Sequence, residues 1–166
     1  DEAGVITQFC TDCEIGSAGV RALCAAIMAR GATMKGDPYK DIKSMRFWRA
    51  NARDAGVAAV AEVLKYGREV VQLSQLEFMD NGVGPSGCLA LGEALMLGAN
   101  TSLLTLRLDN NPIGDLGVHE LSKGLRTNKT LKKLTLTYCG IGAAGGTSLS
   151  EAVANPVGAL AHLDLM

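Results

Sequence analysis

Two cysteines three residues apart, Cys10 and Cys13, are the first feature of this 166-residue chain whose type and spacing could carry chemistry. A Cys-x-x-Cys pair suits a soft metal ion or a thiol–disulfide centre. A metal would need further ligands, but no second such pair exists and no histidine lies nearby in sequence; the other cysteines stand singly at Cys24, Cys88 and Cys139. The five thiols therefore read as small residues of a reducing compartment, most of them in slots meant for buried side chains. The two histidines, His119 and His162, fall in segments that read as an outer helix and an inner strand, so they build no shared catalytic site. Glycine clusters in "CGIGAAGG" and "GVGPSG" invite comparison with phosphate-cradling loops, yet a periodicity running through the chain accounts for every one of their glycines.

That periodicity is plainest in "LLTLRLDNNPIGDLG", residues 103–117, where Leu103, Leu106 and Leu108 precede Asn111, then Ile113 and a pair of glycines. Aligned on Asn111, the same pattern recurs in "LKKLTLTYCGIGAAG" with Leu131, Leu134, Leu136, Cys139 and Ile141, and in "LSQLEFMDNGVGPSG" with Leu73, Leu76, Phe78, Asn81 and Val83. "IKSMRFWRANARDAG" repeats it with Ile42, Met45, Phe47, Ala50 and Ala52, and "VITQFCTDCEIGSAG" with Val5, Gln8, Cys10, Cys13 and Ile15. A sixth, partial copy is "LAHLDLM". The anchors at 13, 50, 81, 111 and 139 lie 37, 31, 30 and 28 residues apart, so the first interval holds an insertion, "RGATMKGDPYKD".

Each copy has a physical reading. Leu106-Arg107-Leu108 alternates, which puts both leucines on one side of a short strand and the arginine on the other. Asn111 suits a tight turn, because its amide can satisfy backbone groups that have left the ladder. After the glycine six places past each anchor the apolar period becomes helical, as in Val118, Leu121 and Leu125 or Val57, Val60 and Leu64. The helices are expected to start near Ser17, Asp54, Pro85 and Asp115 and to stop near Gly31, Gly67, Gly98, Asn128 and Asn155. Neither half of a repeat buries its apolar face alone, whereas stacked repeats share one core.

The pattern resembles the leucine-rich repeat family, specifically its ribonuclease-inhibitor-like subclass, over essentially the whole chain. The expected fold is α/β: a right-handed β/α solenoid, a leucine-rich-repeat horseshoe with parallel inner strands and outer helices. Residues 1–166 read as a single leucine-rich-repeat domain of about five repeats plus a partial sixth. Because the chain opens at Asp1 and stops directly after a strand, it is expected to be a fragment of a longer protein.

A net charge of −1 argues against nucleic acid or anionic membrane as a general partner, and no apolar run approaches the roughly 20 residues of a membrane span. No cofactor is expected. The surface offered for function is the row of strand side chains pointing away from the core. Its candidate contact residues are Phe9, Arg46, Trp48, Arg49, Glu77, Met79, Arg107, Asp109, Lys133 and Tyr138. Tryptophan, tyrosine and arginine dominate protein-binding hot spots. Trp48 has two readings: partner contact, or packing beneath the insertion. Glu77 between Arg46 and Arg107 reads as a cross-strand charge ladder.

The resemblance implies a non-catalytic protein–protein interaction scaffold or a structural subunit of a large multiprotein assembly, inside the cell. It also implies two alternatives. Ran-directed GTPase-activating proteins carry similar repeats and a functional loop arginine, and Arg53 of "ANARDAG" stands where other repeats have glycine. Recognition repeats of an immune-type or actin-regulating multidomain protein are the other.

Overall fold

The computed structural model of the chain describes residues 8–31, 42–66, 71–96, 102–155 and 158–166. Strands and helices alternate through it: β1 (Gln8–Thr11), α1 (Gly16–Gly31), β2 (Ser44–Trp48), α2 (Arg53–Tyr66), β3 (Gln75–Met79), α3 (Pro85–Leu95), β4 (Thr105–Arg107), α4 (Gly114–Leu125), β5 (Lys133–Thr135), α5 (Ala143–Val153) and β6 (His162–Asp164). The strands form one parallel sheet in sequence order, β1-β2-β3-β4-β5-β6. Most of the insertion, together with the expected helix ends at Gly67 and Gly98, lies outside the described residues.

The register stacks equivalent residues. Met45 pairs with Leu76, Leu76 with Leu106, Leu106 with Leu134 and Leu134 with Leu163. The first four are fully buried, as are Leu73, Leu103, Leu108, Leu91 and Leu121. Each such side chain contributes about 2 kcal/mol by leaving water. Three phenylalanines make a column within this spine: the Phe47 and Phe78 rings stack at 4.9 Å, and Phe9 tilts onto Phe47 at 5.5 Å.

Beneath the turns runs a polar ladder. The Asn111 amide nitrogen donates to the carbonyls of Phe78, Leu108 and Asp109 at 2.6, 2.7 and 3.1 Å. Its Oδ1 accepts from the backbone N–H groups of Asn81 and Val83 at 2.9 and 3.0 Å. One coil earlier Asn81 repeats the device, donating to Phe47 and Met79 carbonyls and accepting from the Ala52 N–H. A later coil uses Cys139, whose thiol reaches the Leu108 carbonyl at 3.2 Å. The anchor residues thus join neighbouring coils as well as closing their own turns.

Aspartates at the helix starts act across coils too. The Asp54 carboxylate accepts from the Gly84 N–H ahead of α3 at 2.6 Å, and Asp115 accepts from Gly142 and Gly145 at the start of α5 at 2.7 and 2.9 Å. Sequence reading assigns these two residues to their own helices. In the structure their charge also meets exposed amides and the positive dipole end of the following helix.

Candidate binding face

The strand residues facing away from the core lie in rows across the sheet. One row is Gln8, Ser44, Gln75, Thr105, Lys133 and His162; the next is Cys10, Arg46, Glu77, Arg107, Thr135 and Asp164. Trp48 and Met79 follow.

Two candidate residues lie under this surface instead of on it. Glu77 is 1% exposed and Asp109 is 3% exposed, so neither presents its carboxylate to a partner. The charge ladder expected at Glu77 is therefore a buried hub: it accepts from Trp48 Nε1 at 3.0 Å, Arg46 Nε at 3.3 Å and Gln75 Nε2 at 2.6 Å, with Arg107 Nη1 3.8 Å away. Burial pushes its pKa up, but the hydrogen bonds from Trp48 and Gln75 and the two guanidinium charges outweigh that and hold the carboxyl below its usual range. Asp109 behaves likewise. Burial opposes its charge, and donors from Thr137 and Thr135 at 2.8 to 2.9 Å, with Arg107 beside it, win.

These two carboxylates fix what stands above them. Arg46 lies 4.8 Å from the centre of the Trp48 ring, a cation–π contact. The indole is anchored at its nitrogen yet 37% exposed. Arg107 bridges Glu77 and Asp109. A hollow of about 320 Å³ opens beside this group, lined by Cys10, Thr11, Asp12, Arg46 and Trp48.

Phe9 is a correction. The expected alignment places Phe9 outward and Cys10 inward, but Phe9 pairs with Met45 and Cys10 with Arg46, and Phe9 packs against the core. Met45 is five residues from its anchor Ala50, whereas Phe9 is four from Cys13; the first coil is one residue short before its turn. A one-residue slip exchanges the two faces of a strand. It also keeps Gln8 out of the core. Cys10 is consequently exposed; Cys13 is exposed too, at the turn of the first coil, leaving Cys24, Cys88 and Cys139 as the buried thiols. Burial raises Cys24 to about 11 and Cys88 to about 12, which makes both poor nucleophiles.

Beyond the strands, Arg49, Asp80, Asn110 and Tyr138 occupy the same place in four coils, all exposed and all left-handed, with φ of 47°, 54°, 58° and 53°. Asparagine and aspartate tolerate this conformation, while arginine and tyrosine are strained in it. Tyr138 is 80% exposed. The rim therefore displays large side chains at positions where smaller ones would fit more easily.

Arg53 has a related origin. Its φ is 50°, matching the left-handed Gly16 and Gly114 of other coils, and its Nε donates to Asn51 Oδ1 at 2.7 Å. Arg53→Gly should raise the unfolding free energy by up to about 1 kcal/mol by relieving that conformation, measured by urea denaturation. His119 is exposed on α4, with Nδ1 3.4 Å from Ser148 Oγ, and His162 lies on β6. The structure does not join them. Among the described residues no group of three His, Cys, Asp or Glu side chains is gathered to hold a metal, and no helix is long and apolar enough to cross a membrane.

Comparison with known proteins agrees with this geometry. A family model described as Leucine Rich repeat matches residues 99–122 and 127–150. Ribonuclease inhibitor of Sus scrofa is 27% identical over 92% of this chain, and that of Mus musculus 26% identical over 83%. The chain is a leucine-rich repeat protein of the ribonuclease-inhibitor-like type. NACHT, LRR and PYD domains-containing protein 5 of Homo sapiens is 32% identical over 63% of the chain. This leucine-rich repeat chain spans 31% and 34% of the two inhibitors and 8% of the human protein.

Proposed function

We propose that the chain is a non-catalytic interaction module that holds a protein partner against the concave strand face and its rim, alone or as a subunit of a larger assembly. The observation that carries the proposal is Trp48: an indole held by Glu77 and Arg46, yet open to solvent at its face. A side chain fixed before binding loses little freedom on contact, so it yields affinity efficiently. Met79, Arg46 and Arg107 surround it, and Tyr138 and Arg49 extend the contact onto the rim. Three buried thiols suit a reducing compartment.

Affinity capture from the source cell tests this. Trp48→Ala and Tyr138→Ala should each weaken retention of the specific partner by roughly thirtyfold, the effect of losing a hot-spot side chain worth about 2 kcal/mol. Trp48→Ala also removes a donor from Glu77, whereas Tyr138 stands clear of the core, so unchanged retention in the Tyr138 variant is not a matter of folding. Unchanged retention in both variants removes the concave face as the binding surface.

A further inference from the structure

The concave face is electrically divided across its width. At the N-terminal ends of the strands, the carbonyl and amide bonds of one row join Lys43 to Ser74, Ser74 to Leu104, Leu104 to Lys132 and Lys132 to Ala161. The adjoining row holds Ser44, Gln75, Thr105, Lys133 and His162. Among the described residues these two rows carry three lysines and no carboxylate. Lys43, Lys132 and Lys133 are exposed. In the next row Arg46 and Arg107 are each 35% exposed, while the Glu77 side chain between them is 1% exposed. At the other ends of the strands Asp12 and Asp80 are exposed, with Arg49 in the same row as Asp80. The chain's net charge of −1 hides this separation.

A hollow of about 270 Å³ sits on the basic side, lined by Gln8, Lys43, Ser44, Arg46, Ser74 and Gln75. The Ser44 hydroxyl oxygen there is buried without a hydrogen-bond partner, and such a group is normally satisfied. Arg107 Nε is also buried and unsatisfied, because its 3.4 Å approach to Asp109 is poorly aligned.

We propose that the flank is the recognition site for an acidic, extended segment of a protein partner, with one carboxylate seated at Lys43, Ser44 and Arg46 and a second at Lys132 and Lys133. This rests on the concave-face reading and names the partner's chemistry. The two subsites lie three strands apart, about 14 Å at the usual strand spacing. An extended chain covers that distance in about four to five residues, so the acidic residues of the segment are separated by about that number. Nucleic acid is disfavoured by Asp12 and Asp80 on the opposite edge, which would repel a continuous polyanion, and by the chain's net charge of −1.

Fluorescence anisotropy of this chain with a dye-labelled peptide of about eight residues, carrying two glutamates about four to five residues apart, tests the inference. The controls are its glutamine counterpart and an oligothymidylate of similar length. The glutamate peptide should bind at least about tenfold tighter than the glutamine peptide and tighter than the oligothymidylate, and the preference should shrink as salt rises from about 50 to 200 mM. Joint substitution Lys43→Gln, Lys132→Gln and Lys133→Gln should abolish the preference, and Lys123→Gln on the outer helix α4 should leave it intact. Equal binding of the two peptides, or no binding, overturns the inference; equal or tighter oligothymidylate binding makes the flank a nucleic-acid site and overturns it as well. If the peptide preference is absent while partner capture still depends on Trp48 and Tyr138, only the flank assignment fails. If the preference is present while capture ignores both residues, the concave docking proposal fails by itself.

Discussion

Asn111→Ala should lower the unfolding free energy by about 4 kcal/mol, read as a shift of the urea midpoint with an unchanged slope. The side chain is 2% exposed and serves two coils at once. Its removal strands the Asn81 and Val83 amides, which donate to its Oδ1, and withdraws the donor shared by Phe78, Leu108 and Asp109 carbonyls. Each buried group left unpaired costs about 1 to 3 kcal/mol, and the cavity is too crowded with backbone to relax fully. Asn111→Cys should cost less than the alanine variant, since Cys139 shows that a thiol in the equivalent slot still reaches a carbonyl. An alanine loss below about 1 kcal/mol would mean that the ladder does not join the coils.

The second large effect is expected at Gly124. Helices α3 and α4 approach so closely that a methyl at Gly124 would run into the carbonyl oxygen of Gly92, and one at Gly92 would sit 2.5 Å from the Glu120 carbonyl oxygen. These obstacles are backbone and cannot rotate away. Gly124→Ala should therefore destabilise by about 2 kcal/mol or more by forcing the helices apart, even though alanine is favoured over glycine inside a helix by about 1 kcal/mol. On an isolated helix the substitution would stabilise. The sign of the change, read by thermal or urea unfolding, separates the two situations.

The solenoid is legible in the sequence because its leucine spacing encodes both the strand alternation and the turn, and because repetition multiplies a weak local signal. Leu76, Leu106 and Leu134 fall where spacing puts them. The first coil misleads for a physical reason: alignment on Cys13 assumes a constant distance from strand to turn, and one missing residue turns Phe9 inward and Cys10 outward. An outward Gln8 was the available clue, since a glutamine in an aliphatic spine lacks partners. Burial of Glu77 and Asp109 was illegible, because alternation assigns a face and not a depth; the depth comes from the larger Trp48, Arg46 and Arg107 side chains closing over them. Gly92 and Gly124 read as ordinary helix glycines until the neighbouring helix is in place. The basic flank is equally hidden, its lysines 90 residues apart in sequence at the extremes of Lys43 and Lys133.

Residue-resolved amide hydrogen exchange at Asn81 and Val83 tests the central claim, that successive coils stack in register and lock through their anchor side chains. Both amides bond to Asn111 of the following coil, so they should exchange only with global unfolding, and Asn111→Ala should accelerate them far beyond its effect on the core amide of Leu106. Exchange at rates typical of surface loops in the unmutated chain would contradict the stacking and, with it, the binding face built on top.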